Sequence, residues 1–146
     1  MPAVYPPVFH PLVVRGHYPH MAKNDVVVWE RWLDRHAGEF LAVAYDVAIG
    51  GVSIEVDDEQ LDVALGFRYS SALRVDALVV NATQAYVCEV RPHATISAFG
   101  AALGYTLVAR RDGVTEDELQ PAIICEAIQT DVRWLCQQLG ITVWEV

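Results

Sequence analysis

The stretch that most limits what this chain can become is residues 74–91, RVDALVVNATQAYVCEVR. Two Val-rich runs flank Asn81-Ala82-Thr83-Gln84, which reads as a β-hairpin. With the turn centred on Ala82-Thr83, Asp76 falls directly opposite Glu89. Two carboxylates in that position repel each other, so the pairing requires a cation between them or another offsetting feature. Strand alternation puts Val75, Ala77, Val79, Tyr86, Cys88 and Val90 on one nearly apolar face. Leu78, Val80, Ala85 and Val87 lie on the other face, towards the turn, and Arg74, Asp76, Glu89 and Arg91 cluster at the open end. Diagonal pairing of these four charges would offset the repulsion without a metal.

The chain before the hairpin divides in two. Residues 1–22 hold most of the prolines and three histidines. Proline removes backbone donors, so this stretch is expected to be an extended arm, neither helix nor central strand. Its apolar residues Val4, Tyr5, Val8, Phe9, Leu12 and Val13 need a surface, either their own domain or a partner. His10, His17 and His20 have no carboxylate or Cys at ligand spacing and read as loop histidines. Residues 23–146 then read as one domain. Asn24 or Asp25 caps a helix to about His36, followed by a strand over 40–49. Gly50-Gly51 turns the chain into a second, shorter strand over 52–56, and 58–66 is a short helix.

After the hairpin, Pro92 is expected to stop the strand and Thr95 to cap a helix over 96–110. PAIICEA, 121–127, is a continuous apolar strand of the kind covered on both faces. Asp131 opens a helix ending at Gly140, and 141–146 is the last strand. This order predicts an α/β fold of three layers on a mixed sheet.

Composition bounds the function. With 146 residues, 53% hydrophobic and 20% charged, the chain is globular and long enough for a real core. A net charge of −9 opposes tight binding of nucleic acid by general electrostatics. No apolar run approaches a membrane span, and the first residues lack the basic and apolar regions of a signal peptide, so action in a cytoplasm is expected. Cys88, Cys125 and Cys136 form no metal or redox motif, and Cys88 and Cys125 read as small core hydrophobes.

An acidic residue on one strand, Glu-x-basic on the next, then a helix leading to another strand, resembles the PD-(D/E)XK nuclease superfamily. Glu89-Val90-Arg91-Pro92 followed by AFGAALGY, 98–105, is most similar to variants encoded by tailed phages and prophages. The likeness covers about residues 24–146 and leaves out the arm. It implies a three-layer PD-(D/E)XK-like core in which Asp76, Glu89 and the Val90 carbonyl hold Mg²⁺. Arg91 stands at the catalytic lysine position, with Glu30 and Tyr105 as further candidates. Arginine keeps the charge but cannot give up a proton, and Ala101 replaces the glutamine common in active members.

The expected function is therefore a structural or docking component of a phage particle, in a neck, tail-adaptor or decoration role, with a degraded active centre. Its partners would be other phage structural proteins or copies of itself, engaged through the arm. Such a component would be made in a host cytoplasm and assembled into the particle. The alternative is a Mg²⁺-dependent DNA endonuclease.

Overall fold

The computed structural model describes residues 5–146, so the expected contact residue Val4 lies outside the described residues. Six strands form one sheet in chain order: β1 (Phe9–His10), β2 (Ala42–Ile49), β3 (Leu73–Val80), β4 (Gln84–Ala94), β5 (Glu118–Ile128) and β6 (Thr142–Glu145). The pairs from β1 to β4 are antiparallel, and β4–β5 and β5–β6 are parallel. The sheet is therefore mixed, with helices on both faces, as the order of elements predicts.

Helix α1 (Lys23–His36) covers one face. It buries Val28, Trp29, Trp32 and Leu33 against Val43, Ala77, Val79, Cys88, Val90, Ala122 and Ile124. Helices α3 (Ile96–Asp112) and α4 (Thr130–Leu139) supply Ala98, Ala102, Ala109, Val132 and Cys136 to the opposite side. Small residues on α3 let it lie close to the sheet. A shorter helix, α2 (Leu61–Ser71), joins β2 to β3 at the periphery. All three cysteines are buried and free. Among the described residues no helix is long and apolar enough to cross a membrane.

Several expectations are corrected. Residues 52–56 form no strand. Gly50 and Gly51 do turn the chain with positive φ. The edge of β2 that a returning strand would need is instead occupied by β3, from Ile49↔Leu73 to Ala42↔Val80. The helix expected over 58–66 is a 3-10 turn at Asp58–Gln60 running into α2 as far as Ser71. Pro92 does not stop β4, which pairs with β5 through His93↔Ala127 and Ala94↔Ile128. Past Cys88 the strand has lost its β3 partner, so a missing N–H on that side breaks no ladder. The α1 cap is Ala22, with Asp25 reaching back to its amide at 3.2 Å. Thr95 sits at the start of α3 but receives the Ala98 and Phe99 amides on its carbonyl, not its hydroxyl.

The arm is laid on its own domain. Phe9 and His10 pair with Ala44 and Val43 as an edge strand. Tyr18 is buried in the α1-side core, and Leu12 packs against it. The Tyr5 hydroxyl donates to the Leu65 carbonyl of α2.

Alternation is not continuous along β2 and β3. Val43 and Tyr45 belong to the α1 side, whereas Val47 and Ile49 belong to the α3 side. Likewise Ala77 and Val79 face α1 while Val75 packs with the α3-side cluster, which corrects the expected single face. Both switches occur at residues that share a register position, Asp46 and Asp76, where the ladder skips one pair and then resumes with unchanged offset. Asp46 makes the switch in the left-handed region, at φ 50°.

The end of β2 is clamped by buried charge. The Gly50 amide donates to Asp112 Oδ2 at 2.7 Å, and Arg68 Nε donates to the Gly50 carbonyl at 3.0 Å. This ties β2, α2 and α3 at one point. Gly51, at φ 88°, leaves no room there, since a Cβ would lie 2.3 Å from the Arg68 carbonyl oxygen. Gly113 has a similar positive φ of 62° but open space around it. Gly51→Ala should therefore cost clearly more stability than Gly113→Ala, about 3 kcal/mol against about 1. Denaturant unfolding of the two variants measures the difference.

Candidate functional site

The hairpin register places the acidic pair as expected. Ala77↔Cys88, Leu78↔Val87, Val79↔Tyr86 and Val80↔Ala85 are in register, so Asp76 and Glu89 are the next facing positions, just past the end of the ladder. There the two strands are joined by side chains. Asp76 Oδ2 accepts the Val90 amide at 2.9 Å, taking up a donor that the ended ladder leaves over.

Arg91 fills the corner. Its Nη1 lies 3.4 Å from Asp76 Oδ2 and donates to the Val90 carbonyl at 2.9 Å, while its Nη2 pairs with Glu89 Oε1. The three groups that the family resemblance names as metal ligands are thus all engaged by one guanidinium. Glu89 is 3% exposed and Arg91 40%, so the carboxylate is buried and the cation reaches solvent. Burial pushes Glu89 up to about 8, with Asp76 raising it further and Arg91 opposing. Burial likewise pushes Asp76 up to about 6, opposed by the Val90 amide and by Arg91. Both shifts favour the protonated carboxyl, and in both the Arg91 guanidinium works the other way.

The other predicted residues divide. Tyr105, on α3, stands close enough to feel both carboxylates, which together with burial raise its phenol. Glu30 is not part of the corner and accepts from the Tyr18 hydroxyl at 3.3 Å. Arg74 does not join the expected diagonal cluster. It turns to Asp46 at 3.5 Å and stacks over Tyr69, 3.9 Å from the ring centroid. Of the arm residues, Tyr5 and Leu12 are spent on the domain itself, while Val8, Phe9 and Val13 are 70%, 41% and 57% exposed.

Three residues near the corner were not anticipated. Asp25 at the start of α1 raises both carboxylates of the pair, and His20 in the arm lowers Asp76. Asp46 occupies the β2 position across from Asp76, and its Oδ2 lies 3.4 Å from His20 Nε2. Its Oδ1 is buried without a hydrogen-bond partner. Asp25 is visible in the sequence only as a helix-start residue, and Asp46 only as a polar interruption of FLAVAYDVAI. Among the described residues no three His, Cys, Asp or Glu side chains are grouped as a cation site.

Chemically, this corner holds charge. It has one cation, Arg91, bridging two buried carboxylates. With Arg91 in place the corner does not fit Mg²⁺, because Asp76 Oδ2, Glu89 Oε1 and the Val90 carbonyl already receive the guanidinium.

No family model and no curated protein matches the chain. Among solved structures, it is similar to a protein of unknown function, AF1548, at 15% identity and a TM-score of 0.49. The match covers 83% of this chain and 55% of that protein, so this chain spans about half of its neighbour's length.

The raised carboxylates predict a pH dependence of stability. Both groups bind a proton more tightly when folded than at their ordinary values of 3.8 and 4.5. Their contribution is fully present below those values and is lost as pH rises towards about 8. Glu89→Gln removes one titrating group while keeping an acceptor for Arg91. The fall in unfolding free energy between about pH 5 and about pH 8.5 should be smaller in this variant than in the parent. Equal slopes would mean that the pair is not proton-linked to folding.

Proposed function

We propose that this chain is a non-catalytic docking or structural component built on a PD-(D/E)XK-like fold, with the metal corner of that fold closed by its own arginine. The observation that supports this reading is the position of Arg91, which donates to or pairs with Asp76, Glu89 and the Val90 carbonyl at once. A lysine at that position would have to reach the same three oxygens from a single ammonium, whereas the guanidinium fork serves several acceptors in one plane. Arg91 cannot act as a base, and it neutralises the charge that would draw a divalent cation. The likeness of residues 89–105 to tailed-phage variants makes a phage particle the proposed setting. The exposed arm residues Val8, Phe9 and Val13 are the proposed contacts within it, to other particle proteins or to further copies of the chain.

The competing reading is a Mg²⁺-dependent endonuclease, and two measurements separate them. Purified protein incubated with supercoiled plasmid and Mg²⁺ or Mn²⁺ should leave the plasmid intact. Mn²⁺ titration followed by electron paramagnetic resonance should show no saturable site in the parent. Arg91→Ala, which releases the three oxygens, should gain a site of about millimolar affinity, the weak end of oxygen-ligand cation sites. Metal-dependent nicking by the parent that disappears in Glu89→Gln would instead establish the nuclease.

A further inference from the structure

Helix α2 and the segment leading into it carry a surface that neither the fold nor the Arg91 corner uses. Of α2, only Ala64 and Arg68 are buried. Val63 and Phe67, four residues apart and so on one outward face, are 68% and 47% exposed, and Leu61 is 51% exposed. In the chain leading into α2, Val52 and Ile54 are 48% and 44% exposed. Scattered exposed apolar residues are ordinary, but Val63 and Phe67 share one helix face and the chain leading into that helix carries two more.

The segment 52–57 runs along α2. Gly51 abuts Arg68, and the Val52 amide donates to Ser71 Oγ at 2.8 Å, both near the C-terminal end of α2. The chain must then reach Asp58, which opens the 3-10 turn at the other end. Eleven α-helical residues and one 3-10 turn span about 20 Å. Six or seven residues cover about that distance only when nearly extended. The sequence VSIEV is thus pulled straight between the two ends of α2, and among the described residues no group is hydrogen-bonded to the backbone of Ser53, Ile54, Glu55 or Val56. A strand-forming sequence with open donors and acceptors lies next to an uncovered apolar helix face.

Charge determines what can cover it. Glu55, Asp57, Asp58, Glu59 and Asp62 are all exposed, and residues 51–71 contain one base, Arg68, which is buried against Asp112. A second copy of the chain would bring an identical acidic rim, on a molecule of net charge −9. Nucleic acid and anionic membranes are repelled by the same rim.

We propose that α2 and residues 52–56 form a docking face for an extended apolar peptide segment flanked by lysine or arginine. The peptide adds as a strand along 53–56, sets its apolar side chains on Val63 and Phe67, and places its bases against the acidic rim. The face is separate from the Arg91 corner and stands whether or not that corner is inert.

The test is selection of yeast-displayed random peptides on the full chain, with bound sequences then synthesised and measured by fluorescence anisotropy. Enriched peptides should carry β-branched or aromatic cores with basic flanks. Phe67→Glu and, independently, Val63→Glu should weaken their binding about tenfold or more, at unchanged thermal midpoint. Raising salt from about 0.05 M to about 0.5 M should also weaken it. No enrichment, flanks that are neutral or acidic, or binding indifferent to both substitutions overturns the proposal. So does a dimer in sedimentation equilibrium that Phe67→Glu abolishes, or binding to phosphatidylserine vesicles through this face.

Discussion

Past Ala77 and Cys88 the backbone ladder between β3 and β4 ends, and what joins the strands from there is the Asp76 carboxylate, which accepts from the Val90 amide and pairs with Arg91. Two carboxylates enter a buried corner, and desolvation alone would make that costly. The guanidinium spreads one positive charge over both of them and over a carbonyl. Asp76 meanwhile serves the backbone through the Val90 amide. The corner is therefore a joint between strands made from side chains, and its geometry depends on one fork-shaped cation. Taking away a single partner of such a buried group leaves an uncompensated charge, a loss on the order of 3–5 kcal/mol.

The opposite sheet face is held by different means. Trp29, Trp32, Phe40, Tyr86 and Trp144 form an aromatic layer under α1, with Trp29 donating to the Tyr45 hydroxyl at 3.1 Å. Tyr45 in turn meets Tyr18 of the arm edge-on, which extends the layer into the first residues of the chain. The arm is thus part of the core as well as a surface element, which is why only some of its apolar residues remain available to a partner.

Legibility in the sequence followed locality. Over 77–88 the alternation of β3 and β4 needs no distant information, and register and faces were both readable. Val75 was misplaced because the switch at Asp46 and Asp76 depends on a backbone angle fixed by tertiary contacts. VSIEV has strand propensity, but propensity does not reveal that β3 already fills the edge of β2. Pro92 is a strand breaker only where its amide would be needed, and the end of the β3 ladder removes that need. At the site, the acidic pair and its basic neighbour were visible. The choice between two arginines was not, because Arg74 and Arg91 occupy equivalent ends of the hairpin and differ only in what lies beyond it: Tyr69 and Asp46 for one, Glu89 for the other.

His20 and Asp46 are the two non-glycine residues with positive φ among those described, at 60° and 50°, and their side chains lie 3.4 Å apart. Aspartate and histidine tolerate this region better than most residues, yet each such backbone still costs about 1–3 kcal/mol. One of the two belongs to the arm and the other to the sheet. The strain at Asp46 goes with the face switch of β2, but that at His20 belongs to the arm, so part of what the arm's burial contributes is offset at the point of attachment. The net contribution of the arm to stability is consequently smaller than the depth of Tyr18 alone would imply.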